Sequence, residues 1–168
     1  MIRERNYLIE KLKEAGIKST IHTSMKKLKL SGETHLGAVL HNGDRFERVR
    51  SKKTFTDDSG EKMARITYLL RESSFNVVIS DADDLKCETI LNRFLKAVGV
   101  GLVVDGNWVD IELGEAEWVE KDDSVLKANI AVQMEITFKN MRIFEDMPVR
   151  RLQVGDVSAQ AGGLEYGA

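Results

Sequence analysis

The sequence predicts an α/β (α+β) domain. It should hold a mixed, largely antiparallel sheet with one long strand in the C-terminal half, covered on one face by an N-terminal helix and a second helix near residues 83–98. Three observations carry that expectation. Residues 2–15 and 84–98 repeat apolar side chains at the helical period of 3.6. Residues 128–138 alternate apolar and polar over a strand's period of two. A chain of 168 residues, 42% hydrophobic and 31% charged, suits one core better than two.

In chain order, Ile2 to Ala15 reads as a helix. Leu8, Leu12 and Ala15 form its stripe with Ile9 beside them, Glu4, Glu10, Lys11, Lys13 and Glu14 face water, and Gly16 stops it. So short a helix needs a sheet to lie on. Ile17 to His22 reads as a short strand and Met25 to His35 as an irregular, lysine-rich stretch. Leu36 to Leu40 is a second strand, closed by the turn signal Asn42-Gly43-Asp44. Phe46, Val49 and Phe55 mark a third extended stretch, and Thr56-Asp57-Asp58-Ser59-Gly60 a turn. Ala64, Ile66, Tyr68 and Leu70 then alternate on one face of a fourth strand, so the two flanks form a long hairpin. Phe75 to Ile79 is a further short strand.

Ser80-Asp81-Ala82-Asp83-Asp84 opens the second helix with good N-cap chemistry. Its stripe is Cys87, Ile90, Leu91, Phe94, Leu95 and Val98, and Gly99 ends it. Gly101 to Val104 and Trp108 to Leu113 are strands around the turn Asp105-Gly106-Asn107. In the last strand Ala128, Ile130, Val132, Met134, Ile136 and Phe138 point one way, while Asn129, Gln133, Glu135, Thr137 and Lys139 point the other. One dry and one wet face belong to an antiparallel or mixed sheet. Residues 1–146 are read as one domain. From 147 to 168, starting near the only proline, Pro148, the expectation is a flexible tail.

Composition excludes several function classes. A net charge of −2 gives no general attraction for polyanions, so any nucleic-acid site must be a local patch. One cysteine allows no intramolecular disulfide and no polythiolate metal site; Cys87 sits in an apolar stripe and reads as core. The N-terminus shows no apolar signal segment and the longest apolar runs, such as Val100 to Val104, are too short to span a bilayer. A cytoplasm-like compartment and no membrane partner are expected.

Candidate chemistry is thin. Asp81-Ala82-Asp83-Asp84 lacks the ligand spacing of a calcium loop, and a helix cap accounts for it. Asp57-Asp58-Ser59-Gly60-Glu61 reads as a solvated hairpin tip. His22, His35 and His41 lack the helical pairing of a zinc site. Gly99-Val100-Gly101 follows a helix and enters a strand, the reverse of a dinucleotide fingerprint. No catalytic residue, metal ligand or cofactor is assigned, and the chain is not expected to be an enzyme. One feature is left: Arg45, Arg48, Arg50, Lys52 and Lys53, facing Arg65 across the hairpin. They form either a solvated strand face or a docking surface for an acidic partner. A neighbouring copy could supply that partner through Asp122-Asp123 or Glu115, Glu117 and Glu120.

The C-terminal half carries a resemblance. Trp108-Val109-Asp110-Ile111-Glu112-Leu113 is followed by Glu117-Trp118 and Asp123-Ser124; the alternating strand ends in Ile136-Thr137-Phe138 and exits through Met141-Arg142-Ile143-Phe144-Glu145-Asp146. After a helix and a short strand, this succession resembles the tail terminator (tail-completion, or neck) proteins of tailed bacteriophages and prophage elements. It covers residues 108–146 in pattern and extends back to Ile2 in order of elements; Met25 to Phe55 departs from it. The resemblance implies a homo-oligomeric ring, usually a hexamer, on the head-proximal end of the tail tube. That ring stops tube growth and offers a surface for head-tail joining. Implied partners are the chain itself, the tail tube protein and the head-tail connector protein. The implied location is the neck of the virion, with host cytoplasm during assembly, and no cofactor is implied. Two rivals stay open: a nucleic-acid-binding module using the basic hairpin at 45–53, and a small enzyme using His22 or His41 with a nearby carboxylate.

Overall fold

The structure, a computed structural model, describes residues 2–120 and 130–149. Helix α1 (Ile2–Ala15) buries Leu8, Leu12 and Ala15 as their spacing requires. It ends where Gly16, at φ +119°, lets its own N–H reach the Lys13 carbonyl and that of Ile17 reach Leu12, each at 3.1 Å. Glu4, expected to face water, is buried: it lies one turn before Leu8 on the stripe that meets the sheet. Ile17–His22 is not a strand. Ile17 packs into the core, and only His22 bridges to the sheet, its N–H donating to the Gly37 carbonyl and its carbonyl accepting from Val39 N–H.

Met25–Leu30 is a helix, α2, rather than irregular. Ser24 Oγ accepts from Lys27 N–H at 3.3 Å, lysine is a good helix former, and one leucine, Leu28, is enough to anchor so short an element. It adds cover on the sheet face opposite α1, where Leu28 packs with Leu36, Ala38, Leu40, Val78 and Ala131.

The sheet has order β1-β2-β5-β4-β3 and is antiparallel between all neighbours. The expected α+β class holds; the parallel component of a mixed sheet reduces to the His22–Ala38 bridge. The stretches read as separate short strands fuse into two long ones, β1 (Leu36–Thr56) and β2 (Lys62–Asp81). Asn42-Gly43 is a bulge and not a turn. Asp57 builds the real turn: its Oδ1 accepts from the N–H groups of Ser59 and Glu61. Helix α3 (Asp84–Ala97) follows, capped by Asp83, whose carboxylate accepts from Leu85 N–H at 3.0 Å.

β3 (Gly101–Val104) and β4 (Asn107–Glu120) are joined by Asp105-Gly106, both at positive φ, the two-residue hairpin turn whose twist suits antiparallel strands. The last strand, β5, runs from Ile130 to Pro148. Met147 and Pro148 therefore belong to the sheet, opposite Ala64 and Met63; residues 150–168 of the expected tail, and Ala128 and Asn129, lie outside the described residues.

The main core lies between α1 and α3 and one face of the sheet. Val39, Phe75, Val77, Ile79, Val132, Met134, Ile136 and Phe138 point into it from three strands, so the alternation of the C-terminal strand is realised. Phe138 meets Phe75 edge-on at 5.7 Å and Tyr7 at 6.3 Å between ring centroids. Among the described residues, no helix is long and apolar enough to cross a membrane.

Candidate assembly interface

Helix and strand lengths do not match. Fourteen residues of helix span about 21 Å, whereas the 20 residues of β2 span about 65 Å. The helices cover one half of the sheet, and β1, β2 and β5 continue past them as a three-stranded arm. A row of irregularities marks the border: Asn42 is extra in β1, and the β2–β5 register shifts between Arg71 and Ser73, where Asn140 takes a φ of +64°.

Asp44 fastens that border. Its carboxylate accepts from Ser73 Oγ, from Arg71 Nη2 at 3.0 and 3.1 Å, and meets His41 Nε2 at 3.2 Å. Burial pushes its pKa up, but the bonds from Ser73, His41 and Arg71 outweigh this and hold it at about 2. The sign follows directly. A carboxyl depressed in the folded state stabilises fully above its unfolded value near 4, and that contribution is lost as pH falls toward 2. Asp44 keeps contact with solvent, so screening reduces the effect to the order of 1 kcal/mol. Asp44→Asn is expected to lower stability by that amount at pH 7, with the difference from the parent closing between pH 4 and pH 2 in urea titrations.

At the far end of the arm Arg65 holds the strands together. Its Nε and Nη2 donate to the two Asp146 oxygens at 2.8 Å each. The guanidinium lies 3.9 Å from the Phe144 ring centre and 5.3 Å from that of Phe55. Arg65 is opposite Lys53, as expected, but its charge is spent inside the arm. It serves as a clamp within the arm, its side chain still partly exposed beside the other cations. Phe55 of β1, Arg65 of β2 and the Phe144/Asp146 pair of β5 come from three strands, so no single local spacing announces the cluster.

Arg45, Arg48, Arg50, Lys52 and Lys53 are all exposed, and none forms a salt bridge with a described residue. They lie on β1, the outermost strand, whose outer edge beyond the His22 bridge is unpaired from His41 to Thr56 among the described residues. The opposite side of the sheet has a second open edge. β3 pairs only with Asn107–Asp110, and Ile111 N–H reaches Val100; from Glu112 onward the outer side of β4 is unpaired among the described residues. From Ile111 to Glu120 this strand carries four glutamates and no lysine or arginine. Glu115 and Glu117 line a shallow depression with Asn76, Gln133 and Glu135, while Glu112 pairs with Lys139. Asp122, Asp123 and the Glu120 side chain lie outside the described residues.

The histidines are engaged structurally. His35 Nδ1 meets Asp81 Oδ2 at 2.8 Å and its Nε2 accepts from Lys18 N–H at 3.3 Å, tying the α1–α2 connection to the end of β2. With Nε2 an acceptor, Nδ1 carries the proton given to Asp81. His41 serves Asp44 and packs edge-on against Phe75. His22 lies at the sheet edge by its backbone. The three are not brought together, and among the described residues no group of three His, Cys, Asp or Glu could hold a metal. Cys87 is fully buried and burial pushes its thiol up to about 11, so it is unreactive. Gly99 N–H donates to Tyr7 Oη at 3.0 Å and is not open to a phosphate.

No protein-family model matches the chain, and no curated protein matches it. Among solved structures, a chain described as "Virion of native gene transfer agent (GTA) particle" is similar, with 13% identity and a TM-score of 0.39 over 84% of this chain and 94% of that one.

Proposed function

We propose that this chain is a virion-assembly protein, a tail terminator that closes as a ring on the head-proximal end of a phage tail tube and presents the head-tail joining surface. The observation that carries the reading is the arm: three strands prolonged beyond the helices, with β1 exposed on both faces and clamped from within by Arg65. A sheet extended past its own core gains little stability for the monomer, and its exposed backbone and side chains suit contact with other chains. The residue resemblance over 108–146 supplies the specific role, and the hexameric ring and the partners, tail tube protein and head-tail connector, follow from it.

The test adds the purified chain to polymerising tail tube protein and images the products by electron microscopy. Short tubes with an added ring at one end are expected. Tubes of unchanged length with bare ends would overturn the reading. The five unpaired cations also favour a second reading, a nucleic-acid-binding module. Binding to duplex DNA that falls steeply with salt and is lost in Arg48→Glu/Arg50→Glu, together with bare tubes, selects it instead.

A further inference from the structure

We propose that copies of this chain join head to tail by strand pairing, the basic outer edge of β1 in one copy lying antiparallel against the acidic outer edge of β4 in the next. This deepens the ring reading and rests on it, but the surface is argued from the sheet alone.

Cations on an edge strand ordinarily keep edges apart, because two like edges repel. Here the charges have opposite sign on the two sides of one sheet. β1 offers Arg45, Arg48, Arg50, Lys52 and Lys53 against Glu47, with Asp44 paired to Arg71; β4 offers Glu115 and Glu117, with Glu112 beside them paired to Lys139, and no cation of its own. Repulsion therefore blocks β1 from β1 and β4 from β4, while β1 attracts β4. Such a contact is heterologous, and where its rotation closes, repeating it makes the ring of the proposed function.

Strand direction agrees. The order β1-β2-β5-β4 alternates in direction, so a rotated copy presents its β1 antiparallel to β4 with no further adjustment. The two open edges differ in height. His41 is level with Phe75 and Ile136, whereas Glu112 to Glu120 run from the level of Thr137 to that of Ile130. Pairing them needs an offset along the strands, which a tilted, barrel-like ring provides. Four strands about 4.8 Å apart make each copy about 19 Å wide, and a tilt near 45° gives an offset of about 19 Å, or about six residues. That offset brings His41–Ser51 beside Ile111–Glu120 and the Arg45–Arg50 stretch beside Glu112–Glu117.

Apolar surface follows the same geometry. Phe46 is opposite Arg71 and so level with Met141 of the helix-side core; Leu113 and Trp118 are opposite Ile136 and Val132 on that same side. These three are 55%, 44% and 48% exposed, and the proposed pairing places them along one seam.

The test reverses each edge separately. Arg48→Glu/Arg50→Glu makes both edges acidic, and Glu115→Lys/Glu117→Lys makes both basic. Light scattering should show each variant associating at least about tenfold more weakly than the parent, and the equimolar mixture recovering as alternating assemblies. Circular dichroism and urea midpoints confirm folding. Independently of these, Arg45→Cys/Glu117→Cys, neighbours in this register, treated with a bismaleimide should give a ladder of cross-linked oligomers, since the buried Cys87 will not compete. No ladder at any concentration, alone or on tubes, overturns the proposal, as does a mixture no better associated than its parts. The tube assay separates the two readings. Edge-reversed variants that still cap tubes overturn the edge pairing and leave the terminator intact, whereas recovery in the mixture with bare tubes supports the edge pairing and removes the terminator.

Discussion

Phe138→Ala is expected to cost about 3–5 kcal/mol, a large part of the 5–15 kcal/mol that a domain of this kind possesses. Phe138 is fully buried on β5, and its ring is held edge-on by Phe75 of β2 and Tyr7 of α1. Tyr7 in turn accepts from Gly99 N–H just past α3, so the ring links, directly or through one neighbour, β5, β2, α1 and the exit of α3. Truncation leaves a cavity that a sheet cannot close, because its neighbours are fixed by backbone pairing on both sides. Urea unfolding should show a large fall in midpoint with an unchanged slope, the mark of lost stability rather than an altered denatured state. Trp118→Ala, on the same side of the same sheet but 48% exposed, should change the monomer by no more than about 0.5 kcal/mol. Equal losses for the two would show that the helix-covered core is not where the stability lies.

That contrast marks what a sequence pattern can convey. The stripes of α1 and α3 and the alternation of β5 were legible because burial there is one-sided and periodic, and the two helices carry their own stop and cap in Gly16 and Asp83. Leu36 to Leu40 was legible for a different reason: a short apolar run buried on both faces still reads as a strand. The arm was not. Its edge strand is exposed on both faces, so β1 shows no alternation beyond Leu40. Asn42-Gly43, a strong turn signal in isolation, becomes a bulge because Asp44 is drawn across to Arg71 and Ser73 instead of closing a local turn. Tyr68 breaks the alternation expected of Ala64, Ile66 and Leu70 in the same way: it is an extra residue that turns outward to Glu145 while Thr67 is buried.

For the interface, the cationic run was visible as composition, but two facts that give it meaning were not. One is that β1 is an edge, which depends on β5 inserting between β2 and β4. The other is that Glu112, Glu115 and Glu117 lie along the opposite edge rather than beside the cations. Strand order is a long-range property, set here by pairing between residues 49 to 85 positions apart, and no local period encodes it.

Arg65→Lys is expected to loosen the arm while leaving the core unchanged. The substitution keeps the charge but loses the fork that grips both Asp146 oxygens and the flat surface that lies against Phe144 and Phe55. The arm has few other cross-strand ties at this level: Tyr68 to Glu145 is the next, at 3.1 Å. Stacking of a guanidinium on exposed rings contributes roughly 0.5–1 kcal/mol per face, so losing two faces should raise local opening about five- to thirtyfold. Hydrogen exchange should report it in the amides of 51–67 and 142–148, with those of 75–81 and 130–138 unchanged. Uniform acceleration across both sets would mean that arm and core open as one unit, and that the Arg65 cluster stabilises the whole sheet. Local acceleration has a consequence for assembly. Under the proposed edge pairing, an arm that fluctuates must be ordered when it meets the next copy, and that ordering weakens binding whether or not Arg65 itself is in the contact. Arg65→Lys should therefore weaken self-association while Arg45, Arg48, Arg50, Lys52 and Lys53 all remain. A purely electrostatic interface would not respond to a change that conserves charge, so the size of that loss measures how much of the contact is strand pairing.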